Sequence, residues 1–183
     1  MCVLSGVIAR REQGFTLLEA LTVVAILAFV ASLAVPVFSA AKARYLDMAA
    51  SDLAQALRFA HAEAVRTHIA HGVHLDEDDT RIRLYRYDTA IDYGVHHPLR
   101  KQPYEILYES VGNPVFVASK SLKFKNLSIN YQTNIAFAGG SGIPGSSSVG
   151  ASEPLEYAYF VLQYGEQKRT VSLSSIGGRV DIQ

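Results

Sequence analysis

The sequence has very little cysteine and no excess of either charge. Its 183 residues contain one cysteine, Cys2, and 17 basic residues against 17 acidic ones. Cys2 precedes the first hydrophobic run, so the rest of the chain has neither disulfides nor thiol catalysis. Because the formal net charge is zero, no overall electrostatic field draws the protein to nucleic acid.

Charge is also almost absent from a long stretch near the amino terminus. Between Phe15 and Val35 the only ionisable residue is Glu19, and Pro36 follows. As a helix this run is about 31 Å long, which matches a bilayer core of about 30 Å and predicts a membrane-spanning helix over residues 15–36. A carboxylate in such a span costs about 2.5–3.5 kcal/mol at the bilayer centre, so Glu19 is predicted to have a function.

The residues before and around this glutamate form a recognisable processing signal. The six residues from Gly14 to Glu19 read Gly-Phe-Thr-Leu-Leu-Glu and lead directly into the apolar run. They resemble the class III leader junction of type IV pilins and type II secretion pseudopilins. The resemblance implies a leader of residues 1–14, cleavage after Gly14 by a prepilin peptidase, and N-methylation of Phe15. It also implies that Glu19 pairs with the terminal amine of a neighbouring subunit, a cation that would relieve a carboxylate in lipid.

Two other interpretations of this segment stay open. One is a secretory signal peptide with cleavage near residues 39–43, although its apolar region is usually about 7–15 residues and rarely contains a glutamate. The other is a plain single-span anchor in which Glu19 is a tolerated interfacial charge. Arg10 and Arg11 keep the amino end cytoplasmic in all three interpretations.

A helical pattern resumes after Pro36. Apolar residues recur at spacings of three and four, with most charged residues on the opposite side. They are Leu46, Ala49, Leu53, Leu57, Ala60 and Ala64. We predict one helix from about Phe15 to Thr67, bent at Pro36 because proline removes a backbone hydrogen bond. The amphipathic second half predicts packing against an apolar surface of the remaining chain.

That remaining chain is predicted to be rich in short strands. Hairpins are expected over 69–75 with 81–87 and over 157–164 with 168–174, with further strands at 104–111, 115–118, 127–132, 135–138 and after 176–180. Residues 139–154 are rich in glycine, serine and proline, which predicts a flexible loop. The fold class is α+β, and the predicted domains are the leader 1–14, the transmembrane and assembly helix 15–36, and a head over 37–183 that includes the amphipathic helix.

Two further segments resemble GspH/FimT-type pseudopilins. They are the helix end over residues 58–66 and the final Ser-Ile-Gly-Gly-Arg-Val over residues 175–180. The resemblance implies a long transmembrane-to-periplasmic helix packed on a head of two small antiparallel sheets.

The function implied by this resemblance is that of a structural minor pseudopilin in a type II secretion pseudopilus. Such a protein spans the bacterial inner membrane once, has its head in the periplasm, and assists export across the outer membrane. Its implied partners are other pseudopilins or pilins, the prepilin peptidase, and a secreted substrate or the outer-membrane secretin. The alternative is a minor type IV pilin that contributes to pilus assembly and to DNA binding or uptake.

The DNA alternative depends on the carboxy-terminal residues. In type IV pili, members of this family bind DNA through a Gly-Arg-x-Arg pattern. Here Gly178 and Arg179 supply its first half, but Asp181 stands where the second arginine would be and opposes a phosphate contact. The candidate DNA-binding residues are the basic ones of this region, Arg179, Lys168 and Arg169, with Lys123 and Lys125 as further members of a patch.

Catalytic and metal-binding motifs are not recognised in the sequence. His68, His71 and His74 cross a predicted helix-to-strand boundary, and on a strand the last two lie on opposite faces, so no zinc site is expected. Asp76–Asp79 lacks the glycine and glutamate of an EF-hand loop and predicts a solvated hairpin tip. Without a nucleophile motif, a phosphate loop or paired catalytic carboxylates, we predict neither an enzyme nor a cofactor.

Cleavage after Gly14 can be tested directly. Co-expression with a prepilin peptidase is expected to remove residues 1–14 and to leave N-methyl-Phe15 as the first residue, as read by intact-mass and peptide mass spectrometry. A mature chain that starts at residues 40–44 would instead identify a secretory signal peptide.

Overall fold

The computed structural model describes residues 16–125, 133–146 and 153–183, without the side chains of residues 33–39. One helix, α1 (Leu17–Thr67), is followed by ten strands in the described residues. They are β1 (Ala70–Leu75), β2 (Arg81–Tyr87), β3 (Ile91–Asp92), β4 (Glu105–Leu107), β5 (Phe116–Phe124), β6 (Asn134–Phe137), β7 (Pro144–Ser146), β8 (Glu153–Tyr164), β9 (Gln167–Ser174) and β10 (Val180–Ile182). The predicted α+β class is confirmed.

The chain divides into two compact units, residues 1–40 and 41–183. In the described part of the first unit, residues 17–32 are helical and exposed, and their large side chains are almost all apolar. The second unit contains the rest of α1 and all ten strands.

The core of the second unit lies against one stripe of α1. The six apolar positions predicted from the spacing, Leu46, Ala49, Leu53, Leu57, Ala60 and Ala64, are all at most 2% exposed. They form one buried cluster with strand residues such as Phe124, Phe137 and Leu173. The alanines of this stripe let the helix lie close to the strands, and the leucines fill the space between them. The predicted amphipathic packing is confirmed.

All ten strands pair antiparallel, in two groups. The first group contains β1, β2, β3, β4, β6 and β7, and the second contains β5, β8, β9 and β10. The long strand β8 connects them, because Pro154 and Glu153 pair with Gly145 and Ser146 of β7 before β8 continues between β5 and β9. The structure thus has the two predicted groups of strands, but β8 joins them into one continuous ten-stranded sheet.

The prediction of a loop over residues 139–154 is wrong in part. Pro144–Ser146 form the buried strand β7, and β8 begins at Glu153. Small uncharged residues are typical of loops, but they also suit a strand buried between two neighbours, which is the role of β7. Residues 147–152, like the predicted strand at 127–132, lie outside the described residues.

Two other strand predictions have different bounds in the structure. The strand predicted at 104–111 is only three residues long, Glu105–Leu107, and the strand predicted at 115–118 extends to Phe124. The extension includes two register shifts against β8, which break the regular alternation that a sequence pattern can detect.

The two segments that resemble GspH/FimT-type pseudopilins, residues 58–66 and 175–180, contact each other. The Arg58 guanidinium donates a hydrogen bond of 2.9 Å to the carbonyl of Val180, at the edge of β10. This bond satisfies a backbone group on an edge strand and ties the carboxy terminus to α1.

His61 lies one turn further along α1, and two glycine turns pack against it. Gly142 and Gly178 both have left-handed backbones, with φ of 67° and 63°. A Cβ atom at Gly142 would lie 2.6 Å from His61 Nε2, and one at Gly178 would lie 3.0 Å from His61 Cδ2. Only glycine combines this backbone conformation with this close approach.

We expect Gly142→Ala to destabilise the head more than Gly177→Ala. Both glycines have φ of 67°, so each alanine carries a left-handed strain of about 1–2 kcal/mol. Gly177 has open space around its Cβ position, whereas Gly142 also meets His61 and Val65, and overpacking adds about 1–3 kcal/mol. Urea unfolding of a fragment that begins at Lys42 measures both, and equal losses of stability would contradict this packing.

Candidate functional site

Helix α1 begins with an N-terminal cap, which is formed by Thr16 and Glu19 of the predicted processing signal. The backbone N–H of Glu19 donates to the carbonyl oxygen of Thr16 at 3.0 Å and to its hydroxyl at 3.2 Å. A threonine followed three residues later by a glutamate is the spacing of a capping box, in which the threonine hydroxyl satisfies a free N–H of the first turn. Thr16 therefore fixes where the helix begins and places Glu19 in its first turn.

The Glu19 side chain is exposed among apolar neighbours. Its backbone carbonyl accepts a hydrogen bond of 2.8 Å from the Thr22 hydroxyl, but its carboxylate bonds to none of the described side chains. Leu17, Leu18 and Leu21 on the same turns are also exposed. A carboxylate at the positive end of the helix dipole is favoured, and this one is accessible to a cation from outside the chain.

The other predicted amino-terminal site residues are only partly covered. Gly14 and Phe15 lie outside the described residues, and Pro36 lies within α1 but its side chain is not described. The cleavage site, the methylation site and the bend at Pro36 stay predictions. In the part of the chain with described side chains, no helix is both long and apolar enough to cross a membrane.

The candidate DNA-binding residues do not form one basic patch. Arg179 lies 3.0 Å from the Asp181 carboxylate, and Arg169 lies 2.8 Å from Asp47 of α1. Lys168 and Arg169 are consecutive in β9, so their side chains leave opposite faces of the sheet. Two of the three cations are thus already paired with carboxylates of the same chain.

The further members of the predicted patch differ from each other. Lys123 lies 3.0 Å from Glu156, and this partner raises the pKa of the Lys123 amine. Lys125, the first residue after β5, is exposed, and its backbone N–H donates to the carbonyl of Pro154.

The aspartate-rich tip between β1 and β2 is only partly solvated, so that prediction is half wrong. Glu77 and Asp78 are exposed. Asp76, however, lies 2.8 Å from the Arg83 guanidinium and 3.3 Å from His74 Nε2, and Asp79 pairs with Lys120 of β5. Arg83 of β2 and Lys120 of β5 supply the cations, and the local sequence of the tip does not reveal these pairs.

His71 and His74 are three residues apart in β1, so their side chains lie on opposite faces of the strand, as predicted. His71 is buried and its ring bonds to the Ile69 carbonyl at 2.9 Å, while His74 faces Asn134 and Asp76. Within the described residues, no three histidine, cysteine, aspartate or glutamate side chains are grouped to hold a metal ion.

Sequence reasoning missed a cavity of about 680 Å³ in the head. It lies between the exposed face of α1, at Met48, Asp52 and Gln55, and the segment from His97 to Asn113. These parts of the chain are some 45 residues apart, and neither carries a recognisable motif. Only the fold brings them together.

Comparison with known proteins identifies the amino-terminal segment. Residues 9–35 match the family described as the prokaryotic N-terminal methylation motif. No curated protein sequence matches the chain.

Among solved structures, the chain is similar to a minor pilin and a minor pseudopilin. The type IV minor pilin FimU of Pseudomonas aeruginosa is 17% identical, with a TM-score of 0.46 over 75% of this chain and 87% of that one. The minor pseudopilin EpsH from the Type 2 Secretion System of Vibrio cholerae is 12% identical, with a TM-score of 0.47 over 75% of this chain and 95% of that one.

The methylation motif covers the whole predicted junction, from the basic residues before Gly14 to the end of the apolar run at Val35. The match confirms the resemblance at the amino terminus.

Proposed function

We propose that the protein is a structural minor pseudopilin of a type II secretion pseudopilus. The observation that carries this proposal is the carboxylate of Glu19, exposed in the first turn of α1 within the matched methylation motif. After cleavage behind Gly14, the new amino terminus at Phe15 would provide the cation that this carboxylate lacks. The role is assembly rather than catalysis.

The chemistry of the first turn supports pairing between subunits. A carboxylate in an apolar environment is costly when unpaired, and a neighbouring ammonium group offsets this cost. The Thr16 cap holds Glu19 four residues from the proposed terminus, so the same short segment carries both the anion and the cation. Such a segment pairs with a second copy or with a related subunit, which is what filament growth requires.

The same proposal includes the location and the partners of the protein. The run from Phe15 to Pro36 would anchor the precursor in the inner membrane, where the prepilin peptidase acts on it. The head over residues 37–183 would extend into the periplasm, where its partners are other pseudopilins, with the secreted substrate or the secretin at the outer membrane.

The internal ion pairs favour secretion over DNA capture as the function. DNA binding needs unpaired side-chain cations that neutralise phosphates and so release the counterions of the DNA. Arg179 and Arg169, however, already contact Asp181 and Asp47. Exposed pairs of this kind contribute only about 0–1 kcal/mol, but DNA would have to displace a carboxylate at each. A minor type IV pilin that binds DNA therefore stays the second candidate.

Substitution of Glu19 tests the pairing role. Glu19→Ala retains the backbone N–H that Thr16 caps, so the helix is expected to begin at the same residue while incorporation into a filament with partner pseudopilins falls at least about tenfold. Membrane insertion is expected to be unchanged or improved, because the charge opposes burial in lipid. Crosslinking and fractionation of co-expressed subunits measure both properties.

Thr16→Ala is the matched control for this experiment. It weakens the helix cap by about 0.5–2 kcal/mol but keeps the carboxylate, so assembly should be much less affected than in Glu19→Ala. Mass spectrometry first verifies that both variants are cleaved. Normal co-assembly of a correctly cleaved Glu19→Ala would disprove the pairing role.

A DNA titration separates the two candidate functions. At about 150 mM salt, where the Debye length is roughly 8 Å, we expect weak or undetectable binding of duplex DNA by the wild-type head. Asp181→Arg should strengthen binding, because it frees Arg179 and completes the Gly-Arg-x-Arg pattern. Fluorescence titration of labelled duplex at two salt concentrations is the measurement.

Asp92→Arg is the matched control for charge, since it frees Arg86 from an equivalent ion pair of 2.7 Å elsewhere on the head. Similar gains in both variants would indicate a non-specific charge effect. Micromolar or tighter wild-type binding that is lost in Arg179→Ala would replace the secretion proposal by the DNA-binding pilin.

A further inference from the structure

The cavity of about 680 Å³ beside α1 has the size of a small-molecule site. On its helical side, Met48, Asp52 and Gln55 follow one another at spacings of four and three, so they form one stripe of α1. This stripe faces away from the core stripe that contains Leu53 and Leu57. The helical side of the cavity is therefore separate from the core stripe, whereas Tyr104 and Ile106 of the opposite wall belong to the core cluster.

The opposite wall is a turn that His97 holds in place. The Nδ1 atom of His97 accepts hydrogen bonds from the backbone N–H groups of Leu99 at 3.1 Å and Arg100 at 3.2 Å. Its carbonyl accepts a third bond of 3.0 Å from Lys101, and its ring packs on Tyr104 with centroids 4.6 Å apart. The backbone that carries Arg100 is thus ordered without a ligand, which lowers the entropic cost of binding one.

Two opposite charges line the cavity without forming an ion pair. Partial burial raises the pKa of the Asp52 carboxyl, although the charges of Arg100 and His97 act to lower it. Among the described residues, no hydrogen bond or ion pair reaches the Asp52 carboxylate or the Arg100 guanidinium. A partly desolvated carboxylate and a nearby guanidinium that do not meet leave room between them for a group that contacts both.

The cavity also contains apolar surface that the core does not use. Met48 is 63% exposed and Leu107 is 43% exposed, and both belong to the lining. Exposed apolar side chains in a concave polar site are covered most favourably by hydrocarbon from a ligand. A second carboxylate, Glu105, also lines the cavity.

We propose that this cavity binds a short peptide with an aliphatic side chain and two free ends. Its ammonium group lies at Asp52, its carboxylate lies at Arg100, and its hydrocarbon covers Met48 and Leu107. A simple cation would be repelled by Arg100 and a simple anion by Asp52, so only a ligand with both charges satisfies both walls. The volume exceeds that of one amino acid, which favours a peptide. This site does not depend on the role of Glu19.

Calorimetry and nuclear magnetic resonance on the full-length protein in detergent micelles test the proposal. The probe is the tripeptide Leu-Gly-Gly, compared with its N-acetylated and its C-amidated forms. The side-chain amides of Gln55 and Asn113 line the cavity and serve as reporters. We expect saturable shifts of these amides with the free tripeptide, and affinity lower by at least about tenfold for each blocked form.

Two substitutions test the charges, each with a matched control. Asp52→Asn and Arg100→Gln are each expected to weaken tripeptide binding at least about tenfold, and the second keeps the backbone N–H that His97 binds. Asp47→Asn, on the same helix but paired with Arg169, and Arg86→Gln, paired with Asp92, should leave binding unchanged.

Three outcomes would overturn the proposal. Equal affinity for free and blocked peptides would show that the charges do not recognise the ends. Tighter binding in Arg100→Gln would indicate a site for a simple cation. No saturable shift at Gln55 or Asn113 would show that the cavity does not bind peptides of this kind.

Discussion

The burial of one stripe of α1 under the strands is the contact on which the head depends. Leu46, Leu53 and Leu57 are completely buried, and each such side chain contributes about 1.5–3 kcal/mol. The alanines between them keep the helix close enough for both groups of strands to share one core. With that stripe committed to packing, the other faces of the helix are available for specific contacts. Asp47 binds Arg169 of β9, and Arg58 binds the carbonyl of Val180.

Two of the carboxylates without a described ion pair lie beside exposed apolar side chains. Most acidic side chains of the head with a described ion pair meet an arginine or lysine of a neighbouring strand, as Asp76 meets Arg83. Glu19 and Asp52 have no such partner among the described residues, and each lies beside exposed apolar side chains. Once that surface is covered by another molecule, an unpaired carboxylate there is costly, and a cation from that molecule would stabilise it. Both proposals for this protein follow from that physical constraint.

The segment at residues 58–66 and the turn at 175–180 are joined by a specific contact. Arg58 satisfies an edge carbonyl, and a Cβ atom at Gly178 would lie only 3.0 Å from His61 Cδ2. The helix end and the glycine turn are far apart in sequence, but their side chains and backbones must be complementary in shape and hydrogen bonding. Residue types in both segments are thus constrained by one shared contact.

The sequence by itself determined the elements whose pattern is local. The spacing of apolar residues predicted the buried stripe of α1, and the order Thr16 to Glu19 placed the helix cap beside the processing signal, because each depends on neighbours within one or two turns. Only the tertiary structure decided which charges pair, that Pro144–Ser146 is a buried strand, and that Asp52 and Arg100 line one cavity. These features depend on contacts between distant residues. A local pattern carries no information about a partner that lies 122 positions away, as Arg169 does from Asp47.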